Sequence, residues 1–351
     1  LQGLISEVVE AIEDYHDFLV KELAPQVGGT ADCGPGQASQ LLKHRHQLDL
    51  TGEDALHMAR LVQARIHQQL EEQGLDVSSL GQELAREESL TGEARVQAYR
   101  DEAARLKAFV MEQELLQPPE QALELRVTDR CFSRCDCGSY LRSETGGIFL
   151  IPDDSQVGGG ESLASIRLRS LYGGWAGRHF LAWSGGIKGC SLVRQINPSA
   201  AFKRGWAHYI SHLLEARDYF SAADKRLLAF RRLALAEQAV VDLEFHLGMV
   251  DGQQVLARLQ ALSDIPGWAE SSLLALSRRP IDAFMALIGD AMIQTTWRIV
   301  FAQQPALTPQ LFHSQLLAHG AVSLPLVVKR VYGEAVWPVS YTHLRAHETQ
   351  E

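Results

Sequence analysis

The sequence predicts a large, mainly α-helical protein with a small β insert, and three observations predict it. Apolar residues recur at helical spacing through long stretches such as residues 1–24 and 53–75. Residue types that begin helices stand in front of several such stretches. Short runs of β-branched and aromatic residues, separated by Gly, Asp and Pro, are gathered between residues 123 and 160. The helical stretches flank this β-rich part of the chain on both sides.

The helix starts are clearest at two places. Thr51 stands three positions before Asp54, so a capping hydroxyl and a carboxylate can satisfy each other's backbone N–H groups. Thr308 precedes Pro309, and proline fits the first turn of a helix because no N–H is needed there. The pattern predicts further helices at about residues 37–48, 91–116, 162–184, 200–217, 221–247, 251–261, 267–276, 280–301, 308–318 and 322–333.

Composition divides the chain into four segments. Residues 1–122 form an N-terminal helical region, and residues 123–160 form a strand-and-loop insert that contains LELRV, GSYLR and GGIFLIP. Residues 161–338 form a second helical region. Residues 339–351 resemble a translated sequencing adapter, and we expect them to contribute nothing to the fold.

Charge and hydropathy exclude some classes of partner. The chain of 351 residues has a formal net charge of −10, and its basic residues form no block, so we expect no nucleic-acid partner. No apolar run reaches the roughly 18 residues that a membrane span needs. The chain begins at Leu1 rather than Met, so a signal peptide upstream, and with it the compartment, stays open. The oligomeric state stays open as well.

The cysteines favour free thiols. Their number is odd, and three of them lie in CFSRCDC without a second pair of ligands nearby, so neither a disulfide framework nor a zinc site is expected there. The serine Ser184 lacks the glycine pattern of a nucleophile elbow, so it is not expected to be catalytic either. The five cysteines are Cys33, Cys131, Cys135, Cys137 and Cys190.

One stretch, KRGWAHYISHLLEARDYF, raises the question of a metal site. It places His208 and His212 four positions apart on one helix face, a spacing that can hold zinc. Tyr209 stands where the glutamate base of an HExxH motif would be, so we expect ordinary helix histidines. The alternative is a zinc site at His179, His208 and His212, or with Glu215 as the third ligand.

Four segments carry a resemblance to a known family. In chain order they are LYGGWAGRHFLAW, FKRGWAHYISHLLEA, AVVDLEFHLG and LFHSQLLAHGAVSLPLVVKRV. Their order and spacing resemble the bacterial "domain of unknown function 885" family, whose members are large, mostly helical proteins related to zinc peptidases. The resemblance covers about residues 1–338 and is firmest over residues 145–335. It implies a large multi-helix, zinc-peptidase-like fold.

This chain has several residues of the family pattern but lacks those that would carry its chemistry. Gly177 and His179 match the PGHH portion of HEAYPGHHLQ, but the residues that would hold a cation or act as a base are replaced. A guanidinium cannot ligate a metal and repels a divalent cation. The resemblance therefore implies a degenerate, non-catalytic member, a pseudoenzyme. The replacing residues are Tyr172, Gly173, Arg178, Arg204, Ser211, Gln238 and Ala286.

The sequence is compatible with three functions. The first is a pseudoenzyme that binds a peptide or a small acidic ligand, such as a carboxylate, without a cofactor. The second is a zinc-dependent hydrolase with a relocated site, in which Glu237 or Asp242 could be the base and Asp242 and His246 would flank the site. The third is a helical partner-binding protein. The first predicts a cleft lined by Tyr172, Trp175, Arg178, His179, Arg204, Trp206 and Tyr209.

Overall fold

The computed structural model confirms a mainly α-helical fold with a few short strands. It describes residues 2–26, 31–76, 88–117, 119–128, 140–154, 160–184, 199–262, 267–320 and 322–337. The adapter-like tail, four of the five cysteines and the predicted loop around residue 157 lie outside these ranges, and only Cys33 is described.

The described residues up to Asp76 form three α-helices. Their starts agree with the sequence pattern, and the predicted capping box is present: the Thr51 hydroxyl accepts the Asp54 N–H at 3.1 Å, and the Asp54 carboxylate accepts the Thr51 N–H at 3.0 Å. The helices are α1 (Gln2–Asp17), α2 (Gly34–Gln40) and α3 (Gly52–Glu72). A π-helical segment continues α1 over Phe18–Leu23, and another continues α2 over Leu41–Arg45.

The predicted strands are confirmed, and they form a small mixed sheet. After β1 (Ser89–Leu90) and α4 (Gly92–Glu112) come β2 (Ala122–Val127), β3 (Tyr140–Arg142) and β4 (Gly146–Ile151). Strand β4 lies in the middle, parallel to β2 and antiparallel to β3. Strand β5 (Glu161–Ser162) pairs with β1. Phe149 and Ile151 of β4 pack with Tyr99 of α4 in a small core of their own.

The remaining elements of the described ranges are helical. Thr308 caps its helix as predicted, because its hydroxyl accepts the Leu311 N–H at 3.2 Å. The helices are α5 (Leu163–Gly173), α6 (Arg178–Ser184), α7 (Ala200–Glu215), α8 (Ala222–His246), α9 (Gly252–Leu262), α10 (Trp268–Arg278), α11 (Asp282–Gln303), α12 (Pro309–Leu317) and α13 (Leu324–Tyr332).

The prediction of one helix over residues 162–184 is wrong, because the chain breaks between α5 and α6. Gly174 ends α5, and its N–H donates to the Ser170 carbonyl at 2.8 Å. A Cβ on Gly177 would overlap the carbonyl oxygens of Leu171 and Tyr172, so only glycine fits the tight return of the chain. The break separates α6, which carries His179, from α5.

Two glycines allow a close contact between two helices of the main core. A Cβ on Gly205 of α7 would overlap the backbone of Gly289 in α11, and a Cβ on Gly289 would overlap the Ala201 carbonyl. The two backbones therefore touch, which a side chain on either glycine would prevent. This contact brings α7, which carries His208 and His212, directly against α11.

Helix α1 is the exception to this packing. Its apolar residues Ile5, Val8 and Ile12 are more than half exposed. Across the described ranges, no helix has both the length and the apolar character needed to cross a bilayer.

Candidate functional site

His179 lies at the centre of a chain of hydrogen bonds between α6 and the small sheet. Trp183 donates its ring N–H to the Tyr140 hydroxyl at 3.0 Å, and that hydroxyl lies 3.2 Å from Nδ1 of His179. Nε2 of His179 lies 3.0 Å from the Gln121 carbonyl. Only one tautomer satisfies every group: Nε2–H donates to Gln121, and Nδ1 accepts from Tyr140. Burial lowers the pKa of His179 to about 4, so the ring is neutral.

A second chain of the same kind runs through the main core. The Tyr209 hydroxyl lies 2.8 Å from Nε2 of His313, and Nδ1 of His313 lies 2.8 Å from the Leu115 carbonyl. Burial lowers the pKa of His313 to about 4, so its neutral ring joins α7, α12 and the end of α4. Trp206 donates its ring N–H to the Ala176 carbonyl at 2.8 Å and stacks on Phe180. These residues bind the helices together.

The first chain gives a testable stability effect. The Tyr140→Phe substitution removes the hydroxyl that accepts from Trp183 and donates to His179, so two partly buried groups lose their partner. We expect the free energy of unfolding to fall by about 2 kcal/mol, measured by urea denaturation. Tyr15→Phe is the matched control, because Tyr15 is 61% exposed. Equal stability of the Tyr140→Phe variant and wild type would contradict the two hydrogen bonds of the Tyr140 hydroxyl.

Asp242 and His246 form a buried structural pair. The Asp242 carboxylate accepts the N–H groups of Ile281 and Ala283 at 3.1 and 3.0 Å, which caps the start of α11. His246 accepts the Cys33 N–H at Nδ1, and its Nε2 lies 3.2 Å from the Leu276 carbonyl and 3.5 Å from Asp242. Burial raises the pKa of Asp242 to about 7, against the two N–H bonds. Both side chains are fully buried, so they are not placed to flank an open site.

Glu237, the remaining candidate base, contacts α3 rather than the cleft residues. Its carboxylate lies 3.0 Å from Nε2 of His67. Together with the buried contacts of Asp242 and His246, this contact places all three acid–base candidates between helices.

Tyr172 of α5 and Ser211 of α7, which match positions of the metal motif, lie close to His208. The Tyr172 ring packs against the His208 ring with 5.7 Å between centroids, and both side chains are partly exposed. Tyr172 hydrogen-bonds Ser211, whose hydroxyl also donates to the His208 carbonyl at 2.6 Å. Burial raises the pKa of Tyr172 and lowers that of His208 to about 4, so both are neutral at pH 7. We call the surroundings of Tyr172 and His208 the α7 cleft.

Two ion pairs and one contact between a histidine and a carboxylate border the α7 cleft. Arg204 pairs with Asp282 at the start of α11. His212 lies 3.1 Å from Asp290 of α11, and Arg232 of α8 lies 2.7 Å from Glu215 at the end of α7. The alternative third zinc ligand, Glu215, is thus held by a guanidinium.

Burial corrects part of the expected cleft lining. Trp206, Tyr209 and His179 are at most 3% exposed, so they do not line an open cleft. Both ring nitrogens of His179 are hydrogen-bonded in the structure, so zinc binding at His179, His208 and His212 would have to displace one of these bonds. The other expected lining residues, Tyr172, Trp175, Arg178 and Arg204, are partly exposed.

No group of three or more His, Cys, Asp and Glu side chains placed to hold a metal ion is found among the residues that the structure describes.

Sequence reasoning missed Arg232 and Asp290. The signal for Arg232 was present, because Arg231 and Arg232 interrupt the apolar run AFRRLALA of a helix that is mostly buried from Leu233 onwards. A charged residue in such a run needs a polar partner. Asp290 follows Gly289, and nothing in the local pattern separates it from an ordinary helix-surface acid.

The family follows from a profile that covers most of the chain. The profile described as "Bacterial protein of unknown function (DUF885)" matches residues 1–331. The chain belongs to this family. No curated protein matches it.

Two solved structures share the fold of this DUF885 member. The crystal structure of the "putative lipoprotein from Colwellia psychrerythraea" has a TM-score of 0.77 and 15% sequence identity, over 97% of this chain and 61% of that one. The structure of a "putative lipoprotein of unknown function from Shewanella oneidensis" has a TM-score of 0.73 and 14% identity, over 94% of this chain and 65% of that one. The DUF885 chain therefore spans less than two thirds of the length of either neighbour.

Proposed function

We propose that this DUF885 chain is a non-catalytic binding protein on a metallopeptidase-like scaffold, and that it takes a small acidic ligand in the α7 cleft. The observation that carries the proposal is the set of side chains at the motif positions. Tyr172 and Ser211 hydrogen-bond each other there, and Arg204 pairs with Asp282. The helices that carry the motif are kept, but the side chains that they bring together are a phenol, a hydroxyl and a guanidinium.

These side-chain types support binding rather than metal-dependent hydrolysis. Burial raises the pKa of Tyr172, so it stays a neutral phenol at pH 7 and is a poor ligand for a divalent cation. Arg204 carries a permanent positive charge next to His208, which disfavours a cation at the two helix histidines. We propose both that the metal motif is lost and that the chain is related to peptidases.

The charges around the α7 cleft support an acidic ligand. Arg231 and Arg232 act on Tyr172 together with Asp290, and Arg204 and Arg232 act on His208 together with Asp290. Guanidinium groups thus outnumber carboxylates among the charges that these two rings feel. A partly buried site with an excess of positive charge around it attracts anions.

Two measurements on the full chain test the proposal. Elemental analysis after purification without chelator is expected to give far less than one zinc per chain. Thermal-shift titrations with a panel of monocarboxylates, dicarboxylates and inorganic phosphate, each paired with a neutral amide or ester where one exists, are expected to raise the unfolding temperature with at least one anion.

The alternative is a zinc hydrolase with a relocated site, and the same protein tests it. One zinc per chain that is lost in His208→Ala or His212→Ala, but kept in the control His44→Ala, would overturn the proposal. If no anion in the panel raised the unfolding temperature, the proposal would also be wrong, and a partner-binding protein would be favoured instead.

A further inference from the structure

Arg232 offers hydrogen-bond donors that no described residue uses. Its Nη1 lies 2.7 Å from Oε2 of Glu215, but its Nε and Nη2 atoms are buried and have no acceptor in the part of the chain that the structure describes. The Arg232 side chain as a whole is 20% exposed, so part of it reaches the surface, although its Nε and Nη2 atoms do not. Both the Tyr172 hydroxyl and the His208 ring feel its charge.

A carboxylate is the chemical complement of the unused Nε and Nη2 edge of Arg232. Nε–H and one Nη2–H of a guanidinium point the same way in one plane, and their spacing matches the two oxygens of a carboxylate. Buried donors without an acceptor cost free energy, so an acceptor placed there recovers that cost. Glu215 binds the opposite end of the group and thereby orients the fork without occupying it.

Neighbouring charges select among anions. Asp290 lies close enough to act on both Tyr172 and His208, and Glu215 is already bound to Arg232. A dianion such as phosphate would be repelled by both carboxylates, whereas a monocarboxylate brings one charge and places it against the guanidinium. The tilted rings of Tyr172 and His208, both partly exposed, offer an aromatic surface to the rest of the ligand.

We infer that Arg232 is the anchor of the acidic ligand and that it holds an aromatic or apolar monocarboxylate through both carboxylate oxygens. The inference rests on the proposed function, because it names the ligand class and the anchoring residue of the same cleft. It assigns the central role to an arginine of α8 that lies outside the motif positions of α5, α6 and α7.

Titration calorimetry with benzoate on the full chain tests the inference, with benzamide as the neutral analogue of the same shape. Wild type is expected to bind benzoate and to leave benzamide and inorganic phosphate unbound. Arg232→Gln is expected to abolish binding. Arg232→Lys keeps a cation for Glu215 but lacks the planar fork, so we expect affinity at least tenfold weaker. Arg226→Gln, an arginine six positions earlier on the same helix, is the matched control and is expected to bind like wild type.

The outcomes separate this inference from the proposed function. If Arg232→Lys bound benzoate as tightly as wild type, the two-point contact between guanidinium and carboxylate would be wrong. This result would count even if Arg232→Gln failed to fold. Binding of phosphate but not benzoate would overturn the ligand class and leave the proposed acidic-ligand function standing. Failure of every anion in the wider panel would overturn both.

Discussion

The Gly289→Ala variant is expected to lose about 2–3 kcal/mol of unfolding free energy, although alanine is the better helix former. A Cβ at this position would overlap the Ala201 carbonyl of α7, which is backbone and cannot turn away as a side chain can. The helices α7 and α11 must therefore separate, and the core between them loses contacts. Urea denaturation with an unchanged dependence on denaturant measures the loss.

Gly36→Ala is the matched control for this prediction. Gly36 also lies in a helix, α2, but a Cβ there would meet nothing within 4 Å, so the same substitution is expected to stabilise by about 0.5–1 kcal/mol. A Gly289→Ala variant that matches or exceeds wild-type stability would show that the backbone contact between α7 and α11 is looser than the structure has it.

Elements with strong local signals were predictable from the sequence. The capping box at Thr51 and Asp54 and the threonine cap before Pro309 depend on neighbours in the chain, and both are present. The strands in LELRV and GGIFLIP follow from β-branched and aromatic residues between turn residues. The break at Gly174–Gly177 was missed because it depends on how closely the chain returns to the carbonyls of Leu171 and Tyr172.

The site was less predictable, because its contacts cross between helices. Motif order placed Tyr172 and Ser211 at related positions, and the structure brings them into hydrogen-bond contact. The buried state of Trp206 could not be read from its own helix, because the Ala176 carbonyl that accepts its N–H lies 30 residues away. Arg204 was expected to face a ligand, but Asp282 of α11 pairs with it. Partners distant in sequence decide which polar residues are free to bind.

The protein is expected to lose stability steeply as the pH falls from 6.5 to 4. Burial lowers the pKa of four histidines to about 4: His46, His179, His208 and His313. Their unfolded pKa is about 6.5. The unfolded chain therefore binds protons that the folded chain refuses in this interval. The stability that these groups contribute is complete above pH 6.5 and is lost as the pH falls towards 4.

Asp242 acts in the opposite direction. Its pKa rises from 3.8 to about 7 on folding, so the folded chain binds the extra proton. Its contribution is complete below pH 3.8 and is lost as the pH rises through 7. Four histidines against one aspartate leave a net excess of about two to three protons on the unfolded chain, once the partial exposure of His208 is discounted. At about 1.4 kcal/mol per proton and pH unit, stability changes by roughly 3–4 kcal/mol per pH unit at its steepest.

Urea midpoints measured at half-unit steps between pH 4.5 and 6.5 test this sign and slope. His313→Gln removes one of the four buried titrating rings, so the slope is expected to fall by about one proton, or 1.4 kcal/mol per pH unit. His44→Gln removes an exposed ring and is expected to leave the slope unchanged. A stability that is flat over the interval, or that rises towards acid, would mean that Asp242 and not the histidines governs the response. The neutral rings of His179 and His313 would then be poor candidates for the hydrogen-bonded links that join α6 to the sheet and α7 to α12.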